Sequence, residues 1–376
     1  MSKLKVFEAF AGIGSQSMAL RNINVDYEVV GTMDVDKYAI IAYDSIHNNN
    51  EKVEYKTKEE MLEEINSKHI AYNFSTGKSE IPRKEDDLRK LYEAHIRNKN
   101  FGDIRLIDEN TLPDFDFFTY SFPCKNISNA GQQAGFEEGS GTQSSLVWEC
   151  RRIIKHKKPK YLMMENVKNL ISKKHKPLFD LWCETLEQIG YNNYWKVLNG
   201  KDYGVPQNRE RVIMISIRKD VDDKTFEMQI TNNKKTYITD ILENEVDNTY
   251  FLSEDKYIDT IDIYNGEKQH KLIYLGLLNT KGNECNRRVY DQKGICCTLN
   301  SMNGGNRQPK IRINDKVRKM TPLECWRCQG FKDEDFIKAK GAGLPNSKLY
   351  ERAGRGIVVP MLETNFKKIF KDYIEN

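Results

Sequence analysis

Leu4-Lys5-Val6-Phe7-Glu8-Ala9-Phe10-Ala11-Gly12-Ile13-Gly14-Ser15 runs from an apolar stretch into a turn with two closely spaced glycines. Residues 4–10 read as a buried strand, residues 11–15 as the turn and Gln16 to Arg21 as the start of a helix. A second strand, Tyr27 to Met33, ends at Asp34. Glycines at such a turn let the backbone approach a ligand at the carboxyl end of a sheet, where open α/β folds bind cofactors. The turn lacks the third glycine of the dinucleotide fingerprint, so a pyrophosphate is not specified and a structural tight turn is an equal alternative. Asp34, an acid about 20 residues on, is placed to accept hydrogen bonds from ribose hydroxyls.

Further strands are predicted at residues 115–120, 161–164 and 211–218, with helical patterns over 145–155 and 176–186. Strands alternating with helices imply an α/β fold with a Rossmann-like, mostly parallel sheet covered on both faces. Charged, helix-favouring residues fill roughly 51–99 and read as a surface insertion. After Lys219 the pattern becomes short, polar and glycine-punctuated. Periodicity returns over 321–328 and 357–373. The expected organisation is a large domain over residues 1–219, a smaller irregular domain over 220–340, and a segment over 341–376 that rejoins the first.

The 376 residues are 39% hydrophobic and 30% charged, the balance of an ordinary soluble chain. No apolar run approaches the roughly 18 residues that span a membrane. The chain enters its first strand directly after Met1-Ser2, so no signal peptide is expected. Eight cysteines without a secretion signal point to reduced thiols in a cytoplasm. The net charge of +4 says little, but its distribution says more. Residues 220–267 hold four Lys/Arg against thirteen Asp/Glu, whereas residues 268–319 hold twelve against three. The second segment also contains Gly304-Gly305-Asn306-Arg307. Clustered cations beside flexible backbone are the footprint of phosphate contact, with a solvated charged face as the alternative.

Ser121-Phe122-Pro123-Cys124 ends the apolar run 115–120 and delivers a thiol to the mouth of the sheet. Residues 125–141, with Gly131, Gly135, Gly139 and Gly141, read as a mobile loop after it. A thiol between a rigid strand end and a lid suits a nucleophile, although a buried free cysteine is the commoner use of that residue. Glu165 ends the apolar strand Tyr161-Leu162-Met163-Met164. A carboxylate there is costly to desolvate without a partner, and its proton affinity should rise. Gln207, Arg209 and Arg211 alternate along the entry to the next strand, which predicts one shared face and an anion or polarised carbonyl before it. Gly102-Asp103-Ile104 offers an acid that accepts from an adenine amino group or caps a helix. Cys325-Trp326-Arg327-Cys328 is a lone C-x-x-C without a second pair, explained by one buried helical face, and the six histidines form no ligand pattern. No metal site is expected.

Thiol, acid, arginines and an adenosine-like pocket occur together in one family. The chain resembles the DNA (cytosine-5) methyltransferases of restriction–modification systems and phages. The family's motifs run in order as FAGIGS (10–15), Asp34, GDI (102–104), SFPC (121–124), ENV (165–167), QNRER (207–211), RKMTPLECWRCQGF (318–331) and AGRGIVVPM (353–361). The resemblance implies the S-adenosylmethionine-dependent methyltransferase fold, with target recognition in the segment between QNRER and RKMTPLECWRCQGF. It implies transfer of a methyl group to C5 of a flipped-out cytosine in duplex DNA, with Cys124 attacking C6, Glu165 at N3, and Arg211 at the base oxygen. Arg209 and Gln207 would hold the active-site loop. Phe10, Gly12, Ile13, Gly14, Asp34, Asp103, Ile104, Ser121, Pro123, Leu146, Arg355 and Ile357 would form the S-adenosylmethionine site. Phe122, Asn166, Gln207, Thr298 and Arg307 would meet the DNA substrate. A monomer acting on double-stranded DNA in the cytoplasm of a bacterial or phage-infected cell is implied, with a cognate restriction endonuclease as a further partner.

Two departures stand out. Lys125 occupies a position that is usually glutamine, on the lid. Gly354-Arg355-Gly356 replaces a usual Gly-Asn-Ser, and a cation near a sulfonium is unfavourable. Arg355 then turns to solvent, contacts a phosphate, or pairs with the extra carboxylate of carboxy-S-adenosylmethionine, in which case carboxymethyl would be transferred. A transfer-RNA methyltransferase and a non-catalytic DNA-binding relative are the competing members of the resemblance. A nicotinamide oxidoreductase would rest on the glycine turn alone.

Overall fold

The computed structural model describes residues 2–49, 51–54, 56–74, 76–128, 135–231, 234–302 and 304–374. Its contacts divide the chain into two compact units. Unit 1 comprises residues 1–198, 211–229 and 365–376, and unit 2 comprises residues 199–210 and 230–364.

Unit 1 is built on six strands: β1 (Leu4–Ala9), β2 (Tyr27–Met33), β5 (Phe117–Tyr120), β6 (Tyr161–Val167), β7 (Tyr191–Asn199) and β8 (Glu210–Arg218). A hairpin of β3 (Tyr72–Asn73) and β4 (Lys78–Ser79) stands apart from this sheet. The strand order is β2-β1-β5-β6-β8-β7. The pairs β1–β2, β1–β5 and β5–β6 are parallel, and β6–β8 is antiparallel. The mostly parallel α/β sheet expected from the sequence is present. All four residues of β5 are buried, as are all but one in β1, which is the signature of a sheet covered on both faces.

The helices of unit 1 are α1 (Ser15–Asn22), α2 (Lys37–His47), α3 (Lys58–Ser67), α4 (Glu85–Arg97), α5 (Val147–Lys157) and α6 (Lys176–Ile189). Their ends follow local chemistry. Asp36 accepts from the amides of Tyr38 and Ala39 to start α2, Thr57 and Glu60 form a capping box on α3, and left-handed Gly190 closes α6. The insertion over 51–99 is more than a charged surface. Met61, Ile65, Leu88, Leu91 and Tyr92 form a hydrophobic cluster with Ile40 of α2. At the end of the chain, the rings of Phe366 and Phe370 lie 5.5 and 4.9 Å from that of Phe117.

Unit 2 has a four-stranded mixed sheet, ordered β12-β11-β10-β9, where the patterning predicted an irregular region. Its strands are β9 (Tyr274–Leu277), β10 (Arg288–Asp291), β11 (Lys310–Ile313) and β12 (Lys316–Lys319). Four-residue strands carry too little alternation to be read from sequence. The helices α7 (Glu284–Arg287), α8 (Pro322–Arg327), α9 (Asp333–Gly341), α10 (Asn346–Arg355) and α11 (Val359–Ile369) follow, the last running on into residues of unit 1. A buried Arg318–Glu324 pair at 2.6 Å joins β12 to α8.

The unit boundaries differ from the sequence division at 219/220 and 340/341. Residues 220–229 stay with unit 1, where Asp222 accepts from Asn192 and Tyr194. Residues 341–364 stay with unit 2, because Trp326 Nε1 donates to the Leu349 carbonyl and Tyr350 Oη to that of Met320. Among the described residues no helix is long and apolar enough to cross a membrane.

Candidate active site

The glycine turn in unit 1 is fixed from three sides. Phe10, Gly12 and Gly14 all adopt positive φ, at 55°, 59° and 73°. A Cβ on Gly14 would lie 2.4 Å from His47 Nε2, so glycine is required by both conformation and space. His47 Nε2 lies 3.0 Å from the Ile13 carbonyl. Beneath the turn, the Glu8 carboxyl is fully buried, receiving the Ser17 amide at 3.1 Å and the Tyr43 hydroxyl at 2.6 Å. Burial pushes its pKa up to about 7, against these hydrogen bonds.

Asp34 follows β2 and accepts from the amides of Gly12 and Asp36, both at 2.8 Å. Asp103 is more fully engaged. It caps the turn at Ile104, accepts a fork from Arg105 Nε and Nη2, and meets His69 Nδ1 at 3.0 Å. Burial works to raise its pKa, but the hydrogen bonds from Arg105 and His69 prevail and hold it below the usual carboxylate range. Arg105 itself lies over the Phe74 ring at 4.2 Å. Neither His69 nor Arg105 carried a signal in the sequence, since both partners come from loops.

The end of β5 carries the thiol. Ser144 Oγ donates to the Pro123 carbonyl at 2.7 Å and receives the Asn126 amide at 3.2 Å. Asn166 Nδ2 donates to the Phe122 carbonyl at 3.2 Å. The Cys124 carbonyl accepts from the amides of Ile127 and Ser128, which bends the chain directly after the half-buried thiol. Of the loop predicted over 125–141, residues 129–134, Gly131 among them, lie outside the described residues. Leu146 packs at the margin of the core beside this loop. Ser121 Oγ is buried with no hydrogen-bond partner among the described residues. An orphaned hydroxyl at the carboxyl end of a parallel strand fits a polar ligand group from a cofactor.

Glu165 lies on β6, where β5 and β6 pair through Thr119 and Met163. Cys124 and Glu165 therefore both follow the paired positions, at the same end of the sheet. The carboxylate, costly to desolvate alone, has a cation beside it. Val167 pairs with Arg211 across the antiparallel β6–β8 ladder, and Arg211 Nε reaches Glu165 Oε1 at 3.0 Å. Both side chains are 12% exposed.

The shared face predicted for Gln207, Arg209 and Arg211 does not form, because β8 begins only at Glu210. Arg209 and Gln207 belong to unit 2 and are buried there. Arg209 donates to the carbonyls of Leu299, Gly354 and Gly356 at 2.9 to 3.0 Å. Gln207 donates to the Cys328 carbonyl and accepts from the Leu299 amide. Both serve as internal clamps, and of the two arginines it is Arg211 that meets a carboxylate, that of Glu165. Cys325 and Cys328 are fully buried, the former on α8 and the latter at its carboxyl end. Among the described residues no cluster of three or more His, Cys, Asp or Glu is arranged to hold a metal ion.

The remaining candidates also lie in unit 2. Thr298 donates to the Asn208 carbonyl, Arg307 is exposed, Ile357 is buried, and Arg355 pairs with Glu351 at 2.5 Å while half exposed. The cationic segment is less free than its composition implied. Lys310, Arg312 and Arg318 are buried, and Lys268 pairs with Asp240 of the acidic segment.

Comparison with known proteins matches residues 75–371 to the C-5 cytosine-specific DNA methylases. A type II methyltransferase of Lactococcus lactis subsp. cremoris, M2.ScrFI, is 41% identical over 376 residues, covering 98% of this chain and 99% of that protein. The orphan methyltransferase M.SssI of Spiroplasma monobiae is 36% identical over 389 residues, covering 98% and 97%. In structure, the chain is similar to the Dnmt2 methyltransferase of S. pombe, with a TM-score of 0.62 over 98% of this chain and 99% of that one at 16% identity. The chain belongs to the family of C-5 cytosine-specific DNA methylases, enzymes that take their methyl group from S-adenosylmethionine.

Proposed function

We propose that the chain methylates carbon 5 of a cytosine in a specific duplex sequence through a covalent bond between Cys124 and C6. The observation that carries this reading is the arrangement of the thiol-bearing loop after β5 and the Glu165–Arg211 pair on β6 and β8, with Asn166 bonded to the Phe122 carbonyl. Cytosine must leave the stack first, because C5 and C6 are closed off within a duplex. The Cys124 thiolate forms the S–C6 bond as the C5=C6 electrons move into the ring. Glu165 places a proton at ring N3, so the ring carries that charge without a full anion. Arg211 orients Glu165 and faces the base carbonyl. When bound beside the glycine turn and Asp34, S-adenosylmethionine would supply the methyl group as an electrophile to C5. Water then takes the C5 proton, the electrons of that bond restore C5=C6, the S–C6 bond breaks to return the Cys124 thiolate, and Glu165 recovers the N3 proton. The reading extends to a monomer in the cytoplasm, with a restriction endonuclease of matching specificity where the gene has such a companion.

Methyl is the group assigned here. Arg355 would have to give up Glu351 to meet a carboxylated cofactor, and both the guanidinium and the carboxylate would lose by it. Duplex DNA containing 5-fluorocytosine tests the chemistry, since fluorine blocks the final elimination. A covalent adduct should form with the unaltered enzyme and vanish in Cys124→Ala; an adduct that persists in Cys124→Ala removes the assignment. Mass spectrometry of DNA treated with equal amounts of the two cofactors should return methylcytosine. Carboxymethylcytosine that disappears in Arg355→Asn would overturn methyl. Faster labelling of transfer RNA than of duplex DNA would overturn the substrate.

A further inference from the structure

Lys310, the first residue of β11, is 1% exposed. Its Nζ donates to the carbonyl of Asn286 at 2.6 Å and to that of Asn306. The charged and titratable groups facing it are Lys319 across the β11–β12 ladder, Cys297 and Cys285. Burial, with Lys319 adding to it, lowers its pKa to about 8. An ammonium held in this way by main-chain carbonyls is expensive for the fold, and its effect is to tie two segments together.

Both segments lead into side chains of one cavity. Asn286 lies in α7, two residues before Arg288, and Asn306 is followed directly by Arg307. Gly304, Gly305 and Asn306 all take positive φ, at 68°, 63° and 58°, a path that glycine adopts without strain but also leaves readily, so an anchor at Asn306 selects it. The cavity, of about 190 Å³, is lined by Arg288, Tyr290, Cys297, Thr298, Arg307 and Gln308, among others. Arg288 also pairs with Glu284 at 2.8 Å, an exposed contact that water or a ligand can replace.

We propose that Lys310 is a positioning residue for DNA sequence discrimination: by tying residues 286 and 306 together it holds Arg288 and Arg307 at the rim of a cavity that receives the polar edge of a target base pair. The assignment rests on the proposed function and on the expectation that the segment between residues 211 and 318 recognises the target. A guanidinium discriminates between bases only when its fork is held in register with the donors and acceptors of one base edge. Loosening either segment therefore lowers discrimination, while the cofactor site in unit 1 stays as it was.

The test uses the full chain expressed from a plasmid, with every modified cytosine mapped by bisulfite sequencing. Lys310→Met should relax the sequence consensus, raising modification at sites with one altered base pair by roughly tenfold relative to the preferred site. S-adenosylmethionine affinity of the purified variant should stay within about twofold of the unaltered protein. A fall in modification that is equal at all sites would mean a structural or phosphate role and would overturn the proposal. Should Lys310→Met fail to fold, Asn306→Pro takes its place, because proline cannot adopt positive φ and displaces the carbonyl from a surface turn. The same relaxation is expected, and an unaltered consensus would overturn the proposal. If the unaltered protein modifies no cytosine, the methyltransferase reading fails instead.

Discussion

At the scale of single residues, polar groups that look alike in sequence divide by what they touch. Arg209 and Arg211 are two positions apart, yet one is buried against three carbonyls and the other meets an acid near the end of β6. Arg209→Met should cost about 3 kcal/mol or more, since three buried acceptors lose their donor. Arg211→Met strands the largely buried Glu165 carboxylate, so it should also destabilise, by about 3 kcal/mol, and in addition lower the rate about 100-fold. Thermal melting beside single-turnover methylation at a temperature where both variants stay folded separates the two residues, and an equal loss of rate in both would contradict the division. Glu8 makes a different prediction. Its folded pKa of about 7 lies above the ordinary value of 4.5, so the native state holds a proton that the unfolded chain releases. The stability tied to that proton is complete below about 4.5 and is lost as pH rises through about 7, about 3 kcal/mol in all. Glu8→Gln keeps the neutral shape and should melt with much less change between pH 5 and pH 8. If the unaltered and substituted proteins show the same pH trend, Glu8 is not the group responsible.

At the scale of elements, Gly354 in α10 shows how packing overrides propensity. In a helix interior, replacing glycine by alanine ordinarily stabilises by about 1 kcal/mol. Here a Cβ would stand 1.7 Å from the Asn300 carbonyl oxygen. That oxygen is main chain and cannot rotate away, so Gly354→Ala should destabilise by about 3 kcal/mol or prevent unit 2 from folding. Urea denaturation reads the sign directly, and a variant as stable as the parent would mean the segment at Asn300 yields. The same elements show what the sequence could reveal. The strands of unit 1 were legible because burial on both faces leaves continuous apolar runs, as in Phe117–Tyr120 and Ile213–Ile217. The edge strand Tyr191–Asn199 was missed, because Asn192, Asn193 and Lys196 interrupt its apolar pattern on both faces. The placement of Cys124, Glu165 and Asp34 at one end of the sheet was legible from the apolar runs that precede them, although β6 runs on past Glu165 to Val167. His69 and Lys310 were not, since their roles come from a partner far away in sequence or from main-chain carbonyls that leave no composition signal, and Arg105 was not, since its fork on Asp103 depends on the local turn geometry.

For the molecule as a whole, charge counted along the chain overstates charge available to a polyanion. The segment 268–319 appears as twelve cations against three acids, but Arg312 is spent on the carbonyls of Asn314 and Ile261, and Arg318 on Glu324. Lys310 is spent on two further carbonyls. A cation satisfied inside the fold releases no counterion when DNA binds, so it adds nothing to the salt dependence of binding. The logarithmic slope of affinity against salt should therefore be shallower than the roughly −11 that twelve phosphate contacts would give. Arg312→Gln provides the sharper test. It should lower stability by about 1–3 kcal/mol, because one or two buried carbonyls lose a charged donor, yet leave the salt slope of DNA binding unchanged. Exposed Lys271 and Lys281, changed together to glutamine, should leave stability nearly untouched and reduce the slope by as much as about 2 if both contact phosphate. Binding titrations from 50 to about 200 mM salt distinguish the two classes. A slope that falls by about 1 in Arg312→Gln would mean that its guanidinium leaves the carbonyls and reaches DNA, and the burial of this segment's charge would have to be abandoned.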